Sequence, residues 1–343
     1  MTRVSIEGRK VRVGSIDLPL LSGEVHFWRM APECWRPVLE RVKDLGLEIN
    51  PPSLEKLTGI AATIDVLQQA AAHPESEVLR ALYAAGLDYE FFDLCTGRVE
   101  KPYLIYAGEE WLSQAGQQCL LDFVEAGGHL ICIGTAPRPD DRLRPLNLLG
   151  IPEPAGVLGD FGEIHLSIEL SGSPLDIRSR WLQHFASVPG RPVRAKRGSV
   201  DPHAVEEMQS LCALPEGDEY IVGCTQIIGK GNLTYLGIQP SGDLLTGLLE
   251  ALGVPIPARS LTPGVSTGLF RRETTFYLMA VNTGRESKAF ETRLSHEFFG
   301  RKRLEIRNLL DNRVTNTWLD KDPLLALPVP ALDGTIFELK LHD

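Results

Sequence analysis

The chain opens on alternation of apolar and polar positions. Val4-Ser5-Ile6 and Val11-Arg12-Val13, separated by Gly8 and followed by Gly14, predict a short β-hairpin. Residues 20–27 are predicted as the first longer strand. Behind Pro32, the residues Trp35, Val38, Leu39, Val42 and Leu45 recur at helical spacing and Gly46 offers a stop, so a helix is predicted. Leu47-Glu48-Ile49 starts another strand, which Asn50-Pro51-Pro52 cuts short because proline cannot donate to a ladder.

A different rhythm follows. A helix carrying Val78, Leu79, Leu82 and Tyr83, with Ser76 as its cap and Gly86 as its stop, is predicted first. Strands are predicted at 87–92 and 103–106. The next helix is read as 109–126, with Trp111, Leu112, Cys119, Leu120, Phe123 and Val124 turned inward and Gly127-Gly128 ending it. A strand over 129–133 comes next. Strand, helix and strand joined by short connections predict a parallel sheet covered by helices. Alternation returns at 164–168, 220–228 and 233–238, with Gly229-Lys230-Gly231-Asn232 as a hairpin turn between the last two. Ser241 is set to cap a helix bearing Leu244, Leu245, Leu248, Leu249 and Leu252 up to Gly253, and Pro255 and Pro257 mark a linker. Beyond Arg259, short strands at 276–281, 289–294, 304–306 and 335–339 predict a small antiparallel β domain, a sandwich.

Composition narrows the class. Of 343 residues, 43% are hydrophobic and 23% charged, the balance of a globular chain and not a disordered one. No run reaches the ~20 apolar residues of a membrane helix. Met1 to Lys10 carry charges throughout and offer no secretory leader, so a cytoplasmic protein is expected. Residues 50–257 hold 14 Lys/Arg against 27 Asp/Glu, while the flanks are close to neutral, so the net charge of −10 belongs to the middle. Such a surface repels phosphate and anionic lipid, and neither nucleic acid nor membrane is expected as a partner. Cysteines 34, 95, 119, 132, 212 and 224 show no CxxC spacing, which with no leader predicts reduced thiols. The histidines show no HxxxH or HxH spacing and the glycines no GxGxxG or P-loop, so no metal and no cofactor are expected.

The phrase Leu21-Ser22-Gly23-Glu24-Val25-His26-Phe27-Trp28-Arg29, followed by Pro32, Trp35, Leu39, Lys43, Gly46 and Leu47, resembles the opening of the β-galactosidases of glycoside hydrolase families thirty-five and forty-two. The resemblance implies that this segment is the first strand and helix of a (β/α)8 catalytic barrel, with Glu24, His26 and Arg29 as substrate-binding positions. Tyr106-Ala107-Gly108, the stretch 121–128 and Gly229-Lys230-Gly231 resemble the amidotransferase-like trimerisation domain that follows the barrel in that family.

The implied architecture is α/β. It has an N-terminal barrel fragment over 1–49, a flavodoxin-like middle domain over 50–257 and a C-terminal antiparallel β domain over 258–343. It also implies a homo-oligomer in carbohydrate metabolism, with a β-galactoside or another sugar as partner.

The same resemblance exposes a gap. A barrel needs ~250 residues, and here the chain passes from its first βα unit straight to Asn50. The two family glutamates lie in the part that is missing, and the chain contains no Asn-Glu pair. A retaining glycosidase needs two carboxylates about 5–5.5 Å apart. The expectation is therefore a glycosidase relative with no catalytic residue of its own or, as the alternative, a non-catalytic oligomerisation or carbohydrate-interaction module. Glutaminase chemistry would need a cysteine on a strand-to-helix elbow. The nearest, Cys132, lies mid-strand and lacks the preceding glycine, and Glu109 and Glu110 are read as helix-starting residues.

Overall fold

The structure is a computed structural model that describes residues 4–7, 10–13, 16–19, 55–64, 77–94, 99–140, 142–170, 173–197, 219–282, 284–300, 302–318, 324–331 and 333–342. The chain divides into two compact units, residues 58–255 and residues 1–57 together with 256–343.

In the first part of the chain, β1 (Val4–Glu7), β2 (Lys10–Val13) and β3 (Ile16–Pro19) form an antiparallel meander. The hairpin expected from the alternation is there, extended by a third strand. The short β4 (Glu55–Lys56) belongs to a different sheet and pairs with a strand more than two hundred residues later.

The unit 58–255 is built on one nine-stranded sheet. Five of its strands are parallel: β5 (Ile60–Ile64), β6 (Glu90–Asp93), β7 (Tyr103–Tyr106), β8 (His129–Ile133) and β13 (Gly231–Leu236). They lie side by side as β6-β5-β7-β8-β13, the spatial order 2-1-3-4-5 counted along the chain. Both faces are covered, which is why Leu104 to Tyr106 and Leu130 to Ile133 are unbroken apolar runs with no exposed surface.

The helices of this unit are α1 (Glu77–Ala84), α2 (Gln114–Glu125) and α3 (Gly242–Ala251). α2 packs on β8 and β13, and α1 packs on α3. Four of the five leucines in the α3 stripe, Leu244, Leu245, Leu248 and Leu249, are fully buried. Ser241 caps α3, accepting from the Leu244 amide at 3.2 Å.

Antiparallel strands extend the sheet past β13. They run β12 (Glu219–Ile228), β11 (Arg191–Arg197), β9 (Gly156–Leu170) and β10 (Ser173–His184). The sheet is thus mixed, and the described chain is mostly β. Sequence reading missed β5, β10 and β11, and it set the start of α2 five residues too early. The helix begins at Gln114 because Ser113 caps it, accepting from the Gly116 amide at 3.1 Å. Glu109, Glu110 and Trp111 precede the cap, and Trp111 is exposed, not inward.

In the other unit, two antiparallel sheets share one apolar core. One has β14 (Ala258–Ser260), β17 (Lys288–Leu294) and β20 (Leu324–Val329). The other runs β19 (Val314–Trp318), β18 (Arg303–Asn308), β21 (Asp333–His342), β16 (Thr275–Asn282), β15 (Val265–Arg272) and β4. Phe290, Leu294 and Leu327 of the first sheet meet Leu278, Leu304, Phe337 and Leu339 of the second. A short helix, α4 (His296–Phe299), brings Phe299 against Phe276 edge-to-face.

Candidate functional site

In an open sheet with this strand order, ligands gather outside the carboxyl ends of the parallel strands, where the order reverses between β5 and β7. At that edge β5 and the loops after β7 and β8 are tied to one another. The Ala107 amide donates to Thr63 Oγ1 at 2.8 Å, and Thr135 Oγ1 donates to the Gly108 carbonyl at 3.1 Å. The Arg138 amide donates to the Glu110 carbonyl, and the Leu112 amide to the Pro139 carbonyl. Tyr106 folds its hydroxyl back onto the Glu109 carbonyl at 2.7 Å. An added Cβ at Gly108 would sit 2.6 Å from that hydroxyl oxygen, so the Tyr106 ring would have to shift.

Two polar side chains organise the edge. Gln117 lies on the buried stripe of α2 with Leu120 and Val124 and has no exposed surface. Its amide nitrogen donates to the carbonyls of Leu112 and Pro139, and its oxygen accepts from the Leu148 amide, so three segments are joined through one satisfied carboxamide. Arg138, between Pro137 and Pro139, is 8% exposed. Its Nη2 donates to the Tyr235 hydroxyl at 3.1 Å and reaches Gln183 Oε1 at 3.5 Å, while Nη1 stands 3.9 Å from the exposed Glu153 carboxylate. The guanidinium carbon lies 5.7 Å from the centroid of the Tyr235 ring. The Arg138 Nε is buried without a hydrogen-bond partner. Nearby, Asp140 accepts from Arg144 Nε at 2.7 Å and from the amides of Arg142 and Arg144, and these bonds hold its carboxyl below the usual range.

The thiols near this edge are inert. Cys132 and Cys224 sit opposite Tyr235 on its two neighbouring strands, and all three are fully buried. Burial pushes the Cys132 and Tyr235 protons well above their ordinary ranges, and that of Cys224 to about 11. A nucleophilic cysteine needs exposure and a lowered pKa, and Cys132 has neither. Cys119, Cys132 and Cys224 form no disulfide among the described residues.

The predicted site residues Glu24, His26 and Arg29 lie outside the described residues. Glu109 and Glu110 are exposed in the loop before α2. Sequence reasoning missed Gln117 and Arg138. Each carried a signal, a carboxamide in an apolar helical stripe and an arginine held between two prolines. Among the described residues no group of three or more His, Cys, Asp or Glu could hold a metal ion, and no helix is long and apolar enough to cross a membrane.

Comparison with known proteins places this geometry. The family described as "GLMA-like, second domain" matches residues 60–150. No curated protein sequence matches the chain. Among solved structures, the β-galactosidase from Bacillus circulans sp. alkalophilus superposes with a TM-score of 0.56 at 15% identity, over 88% of this chain and 43% of that one. A family-42 β-galactosidase from G. stearothermophilus gives 0.54 at 13%, over 84% and 41%. The α-L-fucosidase isoenzyme 2 from Paenibacillus thiaminolyticus gives 0.54 at 12%, over 89% and 51%. The chain therefore spans less than half the length of the β-galactosidases it resembles. At this identity the likeness is one of fold, and the fold is β-galactosidase-like.

Proposed function

We propose that this chain is a relative of the family-42 β-galactosidases, acting in carbohydrate metabolism without hydrolytic activity of its own. Residues 1–49 are read as the start of a (β/α)8 barrel whose remainder is absent. Residues 50–257, apart from β4, are the flavodoxin-like, amidotransferase-like trimerisation domain, and 258–343 the family's C-terminal β module. The observation that carries the reading is the 2-1-3-4-5 parallel order of β5 to β13, since that order is the flavodoxin-like one. Glu24, His26 and Arg29 would then be sugar contacts left from the barrel mouth.

Hydrolysis with retention needs an acid and a nucleophile across one glycosidic bond, both carboxylates, held on separate strands. Glu24 has no such partner in the family's Asn-Glu context, because that dipeptide does not occur in the chain. The test is incubation of the purified protein with an aryl β-galactoside. No turnover above background is expected, and turnover abolished by Glu24→Gln would overturn the reading.

A second reading is a homo-oligomerisation or carbohydrate-interaction module. It is supported by the carboxyl edge of the parallel sheet, where Gln117 is fully satisfied and Arg138, Tyr235 and Gln183 bond to one another. Such an edge serves as scaffold better than as a reaction centre. Sizing chromatography with a melting curve in lactose tests it. A strict monomer with an unmoved melting temperature would count against it.

A further inference from the structure

The outer face of the six-stranded sheet carries a stripe of exposed side chains along its edge strand β19. Along β19, Val314, Asn316 and Trp318 are alternate residues and share one face, a stripe about 13 Å long at ~3.3 Å per residue. Directly paired residues on neighbouring strands share that face too. Trp318 is paired with Arg303, which is paired with His342, and Asn316 with Glu305, which is paired with Lys340. Trp318 is 62% exposed and Val314 is 47% exposed, and they are the large apolar side chains left exposed among the described residues of this sheet.

The flank of the indole is lined with planar hydrogen-bonding groups. Arg303 Nη2 donates to Asn316 Oδ1 at 3.3 Å, and His342 Nε2 lies 3.7 Å from Glu305 Oε2. Further along the same face the charges answer each other. Arg307 lies within 4 Å of both Glu305 and Glu338, and Lys340 Nζ is 3.0 Å from Glu338. The face is therefore nearly charge-balanced, which disfavours a polyanion. One flat apolar ring bordered by guanidinium, carboxamide, carboxylate and imidazole groups fits a ligand with an apolar face and a rim of hydroxyls.

From this juxtaposition we propose that Trp318, with Arg303, Asn316, Glu305 and His342, forms a surface platform for a neutral glycan, one sugar ring stacking on the indole. The inference rests on the carbohydrate-interaction reading and gives it an address. Indole stacking supplies contact area at little entropic cost, and Arg303 and Asn316 bond to the ring hydroxyls.

The test is native affinity electrophoresis of the full chain in gels containing soluble β-1,4-galactan. The wild type is expected to be retarded. Trp318→Ala, a change on an exposed edge strand, should weaken retention by at least about tenfold, whereas Trp318→Phe retains part of it. Arg303→Ala should weaken retention severalfold. Circular dichroism of each variant confirms that folding is intact. Retardation of Trp318→Ala equal to that of the wild type overturns the platform while leaving carbohydrate binding in place. A wild type that is not retarded at all removes both.

Discussion

Arg138 donates to the hydroxyl of Tyr235 at 3.1 Å, although the two residues are 97 positions apart in the chain. The bond joins the loop after the fourth parallel strand to the interior of the fifth, and Tyr235 passes the contact on by donating to Gln183 of β10. The guanidinium is nearly buried, yet its carboxylate neighbour, Glu153, is exposed and 3.9 Å away. Its environment is therefore made mostly of neutral dipoles.

Tyr235→Phe leaves the Arg138 guanidinium without its nearest acceptor and removes the donor to Gln183. An unsatisfied buried group costs about 1–3 kcal/mol, so a loss of this size is expected. Glu153→Gln touches only an exposed, long ion pair and should cost under about 1 kcal/mol. Urea denaturation midpoints of the two variants should fall in that order.

Gly223 on β12 lies where an added Cβ would strike the carbonyl oxygen of Tyr235 and come within 3.0 Å of Leu236 Cα. Both obstacles are backbone and cannot rotate away. Gly223→Ala is expected to destabilise by about 2 kcal/mol or more, through displacement of the β12–β13 ladder. Thermal unfolding measures it, with weakened amide-exchange protection at Tyr235 and Leu236 as the local signature.

His129 carries a pH prediction. Burial lowers its pKa below the ordinary 6.5, and its Nε2 lies 2.9 Å from Thr234 Oγ1. The folded protein therefore holds the ring neutral where the unfolded chain would protonate it. Its contribution is fully present above pH 6.5 and is lost as the pH falls from there towards the lowered folded value. His129→Gln should reduce the fall in melting temperature between pH 7 and pH 5 by roughly 2 °C. An unchanged pH profile in this variant would show that other groups govern it.

Ser241→Ala removes the acceptor for the Leu244 amide at the start of α3. About 1 kcal/mol of stability should be lost, and Ser241→Asp should restore most of it. Denaturant midpoints for the pair check both halves.

How much of this was legible depended on how local the cause was. Ser241 as cap, Gly253 as stop and Gly229 in the hairpin turn were each readable, because capping and positive φ are decided within a few residues, and both glycines do have positive φ. Trp111 was misjudged because its apolar spacing with Leu112 continues the helical period backwards. The cap at Ser113 ends that period, and the side chain emerges 37% exposed. The strand β5 went unread because Ala61 and Ala62 are weak strand formers, and a sheet partner on each side supplies what propensity does not.

The sequence by itself determined where short buried strands and their helices lie, because hydrophobic periodicity records which faces are removed from water. It also determined that the acidity is concentrated in residues 50–257 and that no Asn-Glu pair is present. Tertiary structure alone decided the order 2-1-3-4-5, the antiparallel extension from β12 to β10, the joining of β4 to β15, and the meeting of Arg138 with Tyr235 and Gln183. Those outcomes depend on which distant strands close against one another. The free energy of such pairings comes from burial and hydrogen bonds shared between segments a hundred residues apart, and no local window of sequence contains both partners.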